Sequence, residues 1–124
     1  MEMIFYRCRH CGQIVAIVKG TRVPLMCCGE KMERIEPGTT DASLEKHVPV
    51  YEKKDGTVLV KVGSIEHPMV AEHYIEWISI QTRNGNQRKV LTPLDKPEAV
   101  FYVAPDDEVL AVYAYCNLHS LWKA

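Results

Sequence analysis

The chain has 124 residues, 47% of them hydrophobic and 25% charged, enough for one ordinary domain or a small one beside a miniature one. A formal net charge of −1 gives no reason to expect a nucleic acid or an anionic membrane as partner, and no apolar run approaches the roughly 20 residues that cross a bilayer. The N-terminus has no basic stretch followed by an apolar core, so a cytoplasmic location is expected. There the five cysteines stay reduced, and their spacing reads as metal binding or redox chemistry rather than disulfides.

Four of those cysteines fall in the first stretch, residues 1–36. Cys8 and Cys11 form a Cys-x-x-Cys knuckle, with Gly12 suited to the tight turn that follows. Cys27 and Cys28 are adjacent, a spacing that cannot repeat the knuckle and predicts a distorted tetrahedron. Two short strands flanking Gly20 are expected to pair as a hairpin, with Met3–Tyr6 as a further edge. So small a segment buries too little to be stable alone, which makes a tetrathiolate staple the economical reading. Such a site suits zinc and iron alike. His10, inside the knuckle, reads as an exposed spacer.

Residues 36–42 (Glu-Pro-Gly-Thr-Thr-Asp-Ala) are a polar linker, and the domain boundary is placed there, giving domains 1–36 and 37–124. Beyond it, strand-like runs recur at 48–53, 58–63, 74–82, 88–91, 99–103 and 109–115. Asp55-Gly56 and Asn84-Gly85 are hairpin signals. No helical periodicity is sustained, so the expectation is all-β, an antiparallel β-sandwich of about seven strands. Tyr74, Trp77, Tyr113, Trp122 and Met69 read as packing, and Asp106-Asp107-Glu108 as a solvated turn.

The fifth cysteine stands apart. Cys116 and His119 form a Cys-x-x-His pair near the C-terminus, and His47, His67 and His73 lie upstream in turn-like settings, two of them followed or nearly followed by proline. Four imidazoles and one thiolate can converge if the chain folds back repeatedly. Imidazole with thiolate suits iron, but zinc accepts the same ligands.

Cys8-x-x-Cys11 with Cys27-Cys28 resembles desulforedoxin, a small iron–tetracysteine protein. The whole chain, with Glu45-Lys46-His47-Val48-Pro49, His67-Pro68, His73 and Cys116-Asn-Leu-His119, resembles the desulfoferrodoxins, two-iron superoxide reductases. The resemblance implies a desulforedoxin-like N-terminal domain and an immunoglobulin-like sandwich. It implies two iron ions per chain, the first in a tetracysteine site at Cys8, Cys11, Cys27 and Cys28. The second is implied to sit in a four-histidine, one-cysteine site, with His47, His67, His73 and His119 equatorial and Cys116 axial. Five ligands leave one position open, and the formal charge of +1 on the ferrous centre attracts a small anion. The implied activity is reduction of superoxide to hydrogen peroxide, with electrons from a rubredoxin-like donor, in a homodimer. Lys46 is implied to steer the anion, and Glu45 to take the sixth position of the ferric iron. The alternative is a non-enzymatic two-iron electron-transfer protein; a structural zinc protein is a third reading.

Overall fold

The computed structural model describes residues 2–124, and the chain divides into two compact units, Met1–Glu36 and Pro37–Ala124. The first holds five very short strands: β1 (Phe5–Arg7), β2 (Ile14–Ala16), β3 (Met26–Cys27), β4 (Glu30–Lys31) and β5 (Glu33–Arg34). β1 is the centre of an antiparallel β2-β1-β5 sheet, and β3 pairs with β4 in a separate ribbon. The hairpin expected about Gly20 does not form. Reversal takes place at the cysteine knuckle instead, where Cys8 N–H donates to Gln13 O and Gly12 N–H to Cys8 O, both at 2.9 Å. A short turn with its backbone groups satisfied brings β1 and β2 together at less entropic cost than a longer loop. It leaves the 3–6 segment central rather than at an edge. Among the described residues of this unit, only Phe5, Cys8, Met32 and Ile35 are buried.

The second unit carries one helical turn, α1 (Leu44–His47), and seven strands: β6 (Pro49–Lys54), β7 (Thr57–Val62), β8 (Ile75–Thr82), β9 (Gly85–Val90), β10 (Glu98–Tyr102), β11 (Val109–Cys116) and β12 (Ser120–Lys123). They form a three-stranded sheet, β10-β7-β6, and a four-stranded sheet, β12-β11-β8-β9, with every pairing antiparallel. Alternation does the work of assembly. Val58, Val60 and Val62 of β7, with Ala99 and Phe101 of β10, share a buried core with Ile78 and Ile80 of β8 and Val112, Ala114 and Cys116 of β11. Each fully buried Val or Ile contributes about 1.5–3 kcal/mol. Cys116 is the last residue of that inward-facing series, so its sulfur lies at the end of the core.

The turns follow local chemistry. Asp55, at φ +54, sits in the two-residue turn closing β6 on β7, between the paired Lys54 and Thr57. Asp107, read from sequence as solvated, is buried, and its carboxylate accepts the Asn84 and Glu108 N–H groups. Met69 packs against the core, where its sulfur accepts the Ile75 N–H at 3.3 Å.

Candidate metal centres

The first unit brings four sulfurs together. The donor atoms of Cys8, Cys11, Cys27 and Cys28 all lie within 4.8 Å of one another. Cys11 Sγ is 3.6 Å from Cys27 Sγ, and Cys27 Sγ is 4.0 Å from Cys28 Sγ. A tetrahedral site with metal–sulfur bonds of about 2.3 Å has edges of about 3.8 Å, so the donor set fits one metal ion. Left-handed backbone at Cys28 (φ +52) and Gly29 (φ +75) is what turns two adjacent cysteines toward one point. Cys11 N–H donates to Cys8 Sγ, and this bond comes first among the causes that hold the Cys8 thiol down at about 6. Cys27, next to the Cys11 and Cys8 sulfurs, is pushed up to about 12. One thiol is thus ready to ionise, and a cation is required to hold Cys27 and Cys28, both raised by their sulfur neighbours, as thiolates. Outside the sulfurs, exposed His10 and Arg9 both reach Glu30, at 3.0 and 2.8 Å.

The second centre is assembled from four segments, the turn α1, two loops and the β11–β12 hairpin. His47 closes α1, where Val48 N–H donates to Leu44 O and Pro49 then opens β6. His67 is placed by its N–H donating to Val62 O at 3.0 Å. His73 sits in an isolated bridge with Val70, the two exchanging both backbone hydrogen bonds at 3.0 and 3.1 Å. Cys116 ends β11 and pairs with Ser120 across a three-residue turn, residues 117–119, with Ser120 left-handed at φ +65. The Cys-x-x-His motif is therefore a hairpin turn, which aims both of its ligand types the same way.

The four rings make a near-square. Neighbouring centroids are 4.7 Å apart for His47–His67, 4.7 Å for His67–His73, 5.1 Å for His73–His119 and 4.8 Å for His47–His119. Each neighbour is close to perpendicular to the next, whereas His47 and His73 face each other across the square at 6.3 Å with planes 29° apart. Nitrogens point inward: His47 Nε2 is 3.2 Å from His67 Nε2 and 3.0 Å from His119 Nδ1. Cys116 Sγ, at 3.8 Å from His119 Nδ1, completes the set and is fully buried. Lone pairs crowded this closely repel unless a cation lies between them. His73 Nε2 is buried with no hydrogen-bond partner, a cost that a metal bond removes. The close cluster comprises His47, His67, His73 and Cys116. His119 lies outside that cluster, yet its Nδ1 is 3.0 Å from His47 Nε2 and 3.8 Å from Cys116 Sγ. The residues thus fit a site of four close donors with His119 as a fifth.

Second contacts fix which nitrogen is free. The Nδ1–H groups of His47 and His67 donate to the carbonyls of Ser43 and Pro68, both at 2.7 Å, leaving the Nε2 lone pairs inward. Burial, ahead of the neighbouring imidazoles, lowers His47 and His73 and takes His67 to about 4. Neutral rings are what a metal needs. Burial raises the Cys116 thiol, opposed by the N–H groups of Leu118 and His119, so metal binding here expels a proton. The Trp122 ring packs 4.9 Å from that of His47, and its N–H donates to His119 O at 2.9 Å.

Glu45 and Lys46, the remaining residues singled out in the sequence, are both exposed on α1. Lys46 lies close enough to act electrostatically on His47 and His73. The Glu45 carboxylate is not among the clustered donors; its own backbone N–H, then the Ser43 side chain and Lys46, hold it below the usual carboxylate range.

Comparison with known proteins gives one family for both units. The family model described as desulfoferrodoxin matches residues 39–124, and that described as the desulfoferrodoxin N-terminal domain matches residues 1–35. A desulfoferrodoxin homolog from Archaeoglobus fulgidus is 47% identical, covering 98% of this chain and 96% of its own. The desulfoferrodoxin of Nitratidesulfovibrio vulgaris is 45% identical over 96% of this chain and 93% of its own. Among solved structures, the superoxide reductase from Treponema pallidum superposes with a TM-score of 0.84 at 38% identity, covering 100% of this chain and 99% of that one. With both units matched, and relatives aligned over nearly their full length, the chain belongs to the desulfoferrodoxin family.

Proposed function

We propose that the protein is a superoxide reductase holding two irons, one in the tetracysteine centre and one in the centre of four histidines and one cysteine. Superoxide, one electron and two protons give hydrogen peroxide at the second centre. The observation that carries the reading is the square of four inward imidazoles backed by the buried Cys116 sulfur, with a lysine beside it. Ferrous iron bound by His47, His67, His73, His119 and Cys116 would supply the electron and one free coordination position.

The protein's own groups do the rest. The Ser43 and Pro68 carbonyls hold His47 and His67 in the tautomer that leaves Nε2 free. Cys116 contributes the one anionic donor, and the Leu118 and His119 N–H groups steady its sulfur. Lys46 draws the small anion to the site. Glu45, exposed on the same turn as Lys46, would be the carboxylate to occupy the free position once the iron is oxidised. Protons come from water at the exposed side.

Electrons reach the protein from a rubredoxin-like donor in the cytoplasm, and the chain works as a homodimer. The exposure of Val18, Val23 and Met26 on a unit with so little core supports a second copy as cover. The test is a superoxide pulse on the reduced protein without oxygen. The absorption of the oxidised second centre should grow with one peroxide formed per superoxide consumed and no dioxygen released. Half a peroxide and half a dioxygen per superoxide, formed faster than in buffer, would make the protein a dismutase. The same products at the spontaneous rate, with the second centre left reduced, would make it an electron carrier.

A further inference from the structure

We infer that Asn117 is a positioning residue for the second centre, its side-chain amide clamping the peptide groups on both sides of His73. The inference rests on the reading of His73 as a ligand. His47 and His67 are held by hydrogen bonds to their rings. No hydrogen bond to the His73 ring is present among the described residues, and its Nε2 is buried without a partner. The aim of that ring is therefore set by its backbone.

That backbone is gripped from both directions. Val70 takes the N–H and C=O of His73 itself. From the other side, Asn117 Oδ1 accepts the Tyr74 N–H at 2.9 Å, and Asn117 Nδ2 donates to Glu72 O at 3.1 Å. Its own N–H donates to Tyr74 O at 3.2 Å. The need arises where regular pairing fails. The β8–β11 register slips at its end, Tyr115 pairing with Trp77 but Cys116 with Ile75, so that Glu76 is skipped. Past that irregularity the strands cannot continue as a ladder. The Asn117 amide, with one donor and one acceptor, supplies the peptide-like partner that a further strand residue would have given. A side chain of this kind in the turn between Cys116 and His119 ties the His73 loop to two other ligands, so that three donors move as one body.

The experiment uses the iron-loaded full chain and never exposes it to superoxide, so it stands apart from the test of activity. Asn117→Ala, Asn117→Asp and His73→Ala are compared by three readouts. These are the visible band of the oxidised second centre, the rate at which that centre yields iron to a ferrous chelator, and the thermal midpoint, with the tetracysteine absorption as internal reference. Asn117→Ala should shift the second band and speed iron loss by about 10–100-fold, the usual effect of removing an outer partner of a ligand. The tetracysteine absorption should not move. Asn117→Asp keeps the size and the bond from the Tyr74 N–H but replaces the donor to Glu72 O with a second acceptor, so it too should lose iron faster than wild type. If His73→Ala changes the band while both Asn117 variants keep the wild-type band and iron retention, the inference is overturned and the ligand reading stands. If His73→Ala changes nothing, both fail. A lowered thermal midpoint with an unaltered second centre would assign Asn117 to fold stability alone and would also overturn it.

Discussion

Lys46 and His73 are one residue type each in a crowded site, yet the physics that places them differs. His73 is held by its backbone, whereas Lys46 extends from an exposed helical turn, and what reaches His73 from it is its charge. The whole chain is formally −1, so it offers an incoming anion no general attraction, and any steering has to be local. At an effective dielectric near 20, a unit charge about 8 Å from an anion interacts by roughly 2 kcal/mol, or up to about thirtyfold in encounter rate. Lys46→Ile should therefore slow superoxide capture by about tenfold to thirtyfold with both spectra intact, and Lys46→Arg should restore most of the rate. Added salt should slow the wild type more than the Ile variant. Capture at the wild-type rate in low salt would remove Lys46 from the mechanism.

At the scale of elements, the turn bearing Glu45 and Lys46 depends on a strand end that bears no side chain. Glu45 O accepts the Ile65 N–H at 2.9 Å and the Ser64 hydroxyl at 3.3 Å. A Cβ on Gly63 would lie 2.5 Å from Glu45 O and 3.0 Å from the carbonyl carbons of Glu45 and Lys46. These are backbone atoms that cannot swing away. Gly63→Ala should cost about 1–3 kcal/mol of stability, read by chemical denaturation, and should slow superoxide capture by moving α1. A variant with normal stability and normal capture would show the turn to be free of Gly63. None of this packing was legible in the sequence, because it joins residues far apart. Local signals fared better. Asp55-Gly56 closes a hairpin at the position the dipeptide indicates, and the alternation of Val58, Val60 and Val62 faces them into the core. α1 and β12 escaped notice because one helical turn and four residues are too short to show a period. Gly20 misled for the opposite reason: a glycine permits a reversal without requiring one, and the knuckle at Cys8–Gln13 made it first. The clustered donors were legible because metal chemistry admits few residue types, whereas the amide of Asn117, one of many polar side chains, carried no such mark.

For the whole molecule, the consequence of two units with separate donor sets is that either centre can be removed alone. Cys8, Cys11, Cys27 and Cys28 all precede residue 37, and the imidazoles and Cys116 all follow it. The units also differ in what holds them together. The second has two sheets closed over a continuous aliphatic core. The first has strands of two or three residues and few buried side chains, so its folding free energy has to come in large part from its metal. Cys28→Ser removes one of four thiolates. The tetracysteine absorption should be lost, and calorimetry should show the transition of the first unit weakened or gone while that of the second remains. Superoxide capture by the reduced second centre should stay within about twofold of wild type, a difference of roughly 0.4 kcal/mol in barrier, because none of its donors has changed. Turnover driven by an external donor can fall without harm to this division, since delivery of electrons is a separate step from capture. Loss of capture itself by the pre-reduced second centre would mean that the first centre takes part in the chemistry, and the assignment of one role to each unit would have to be given up.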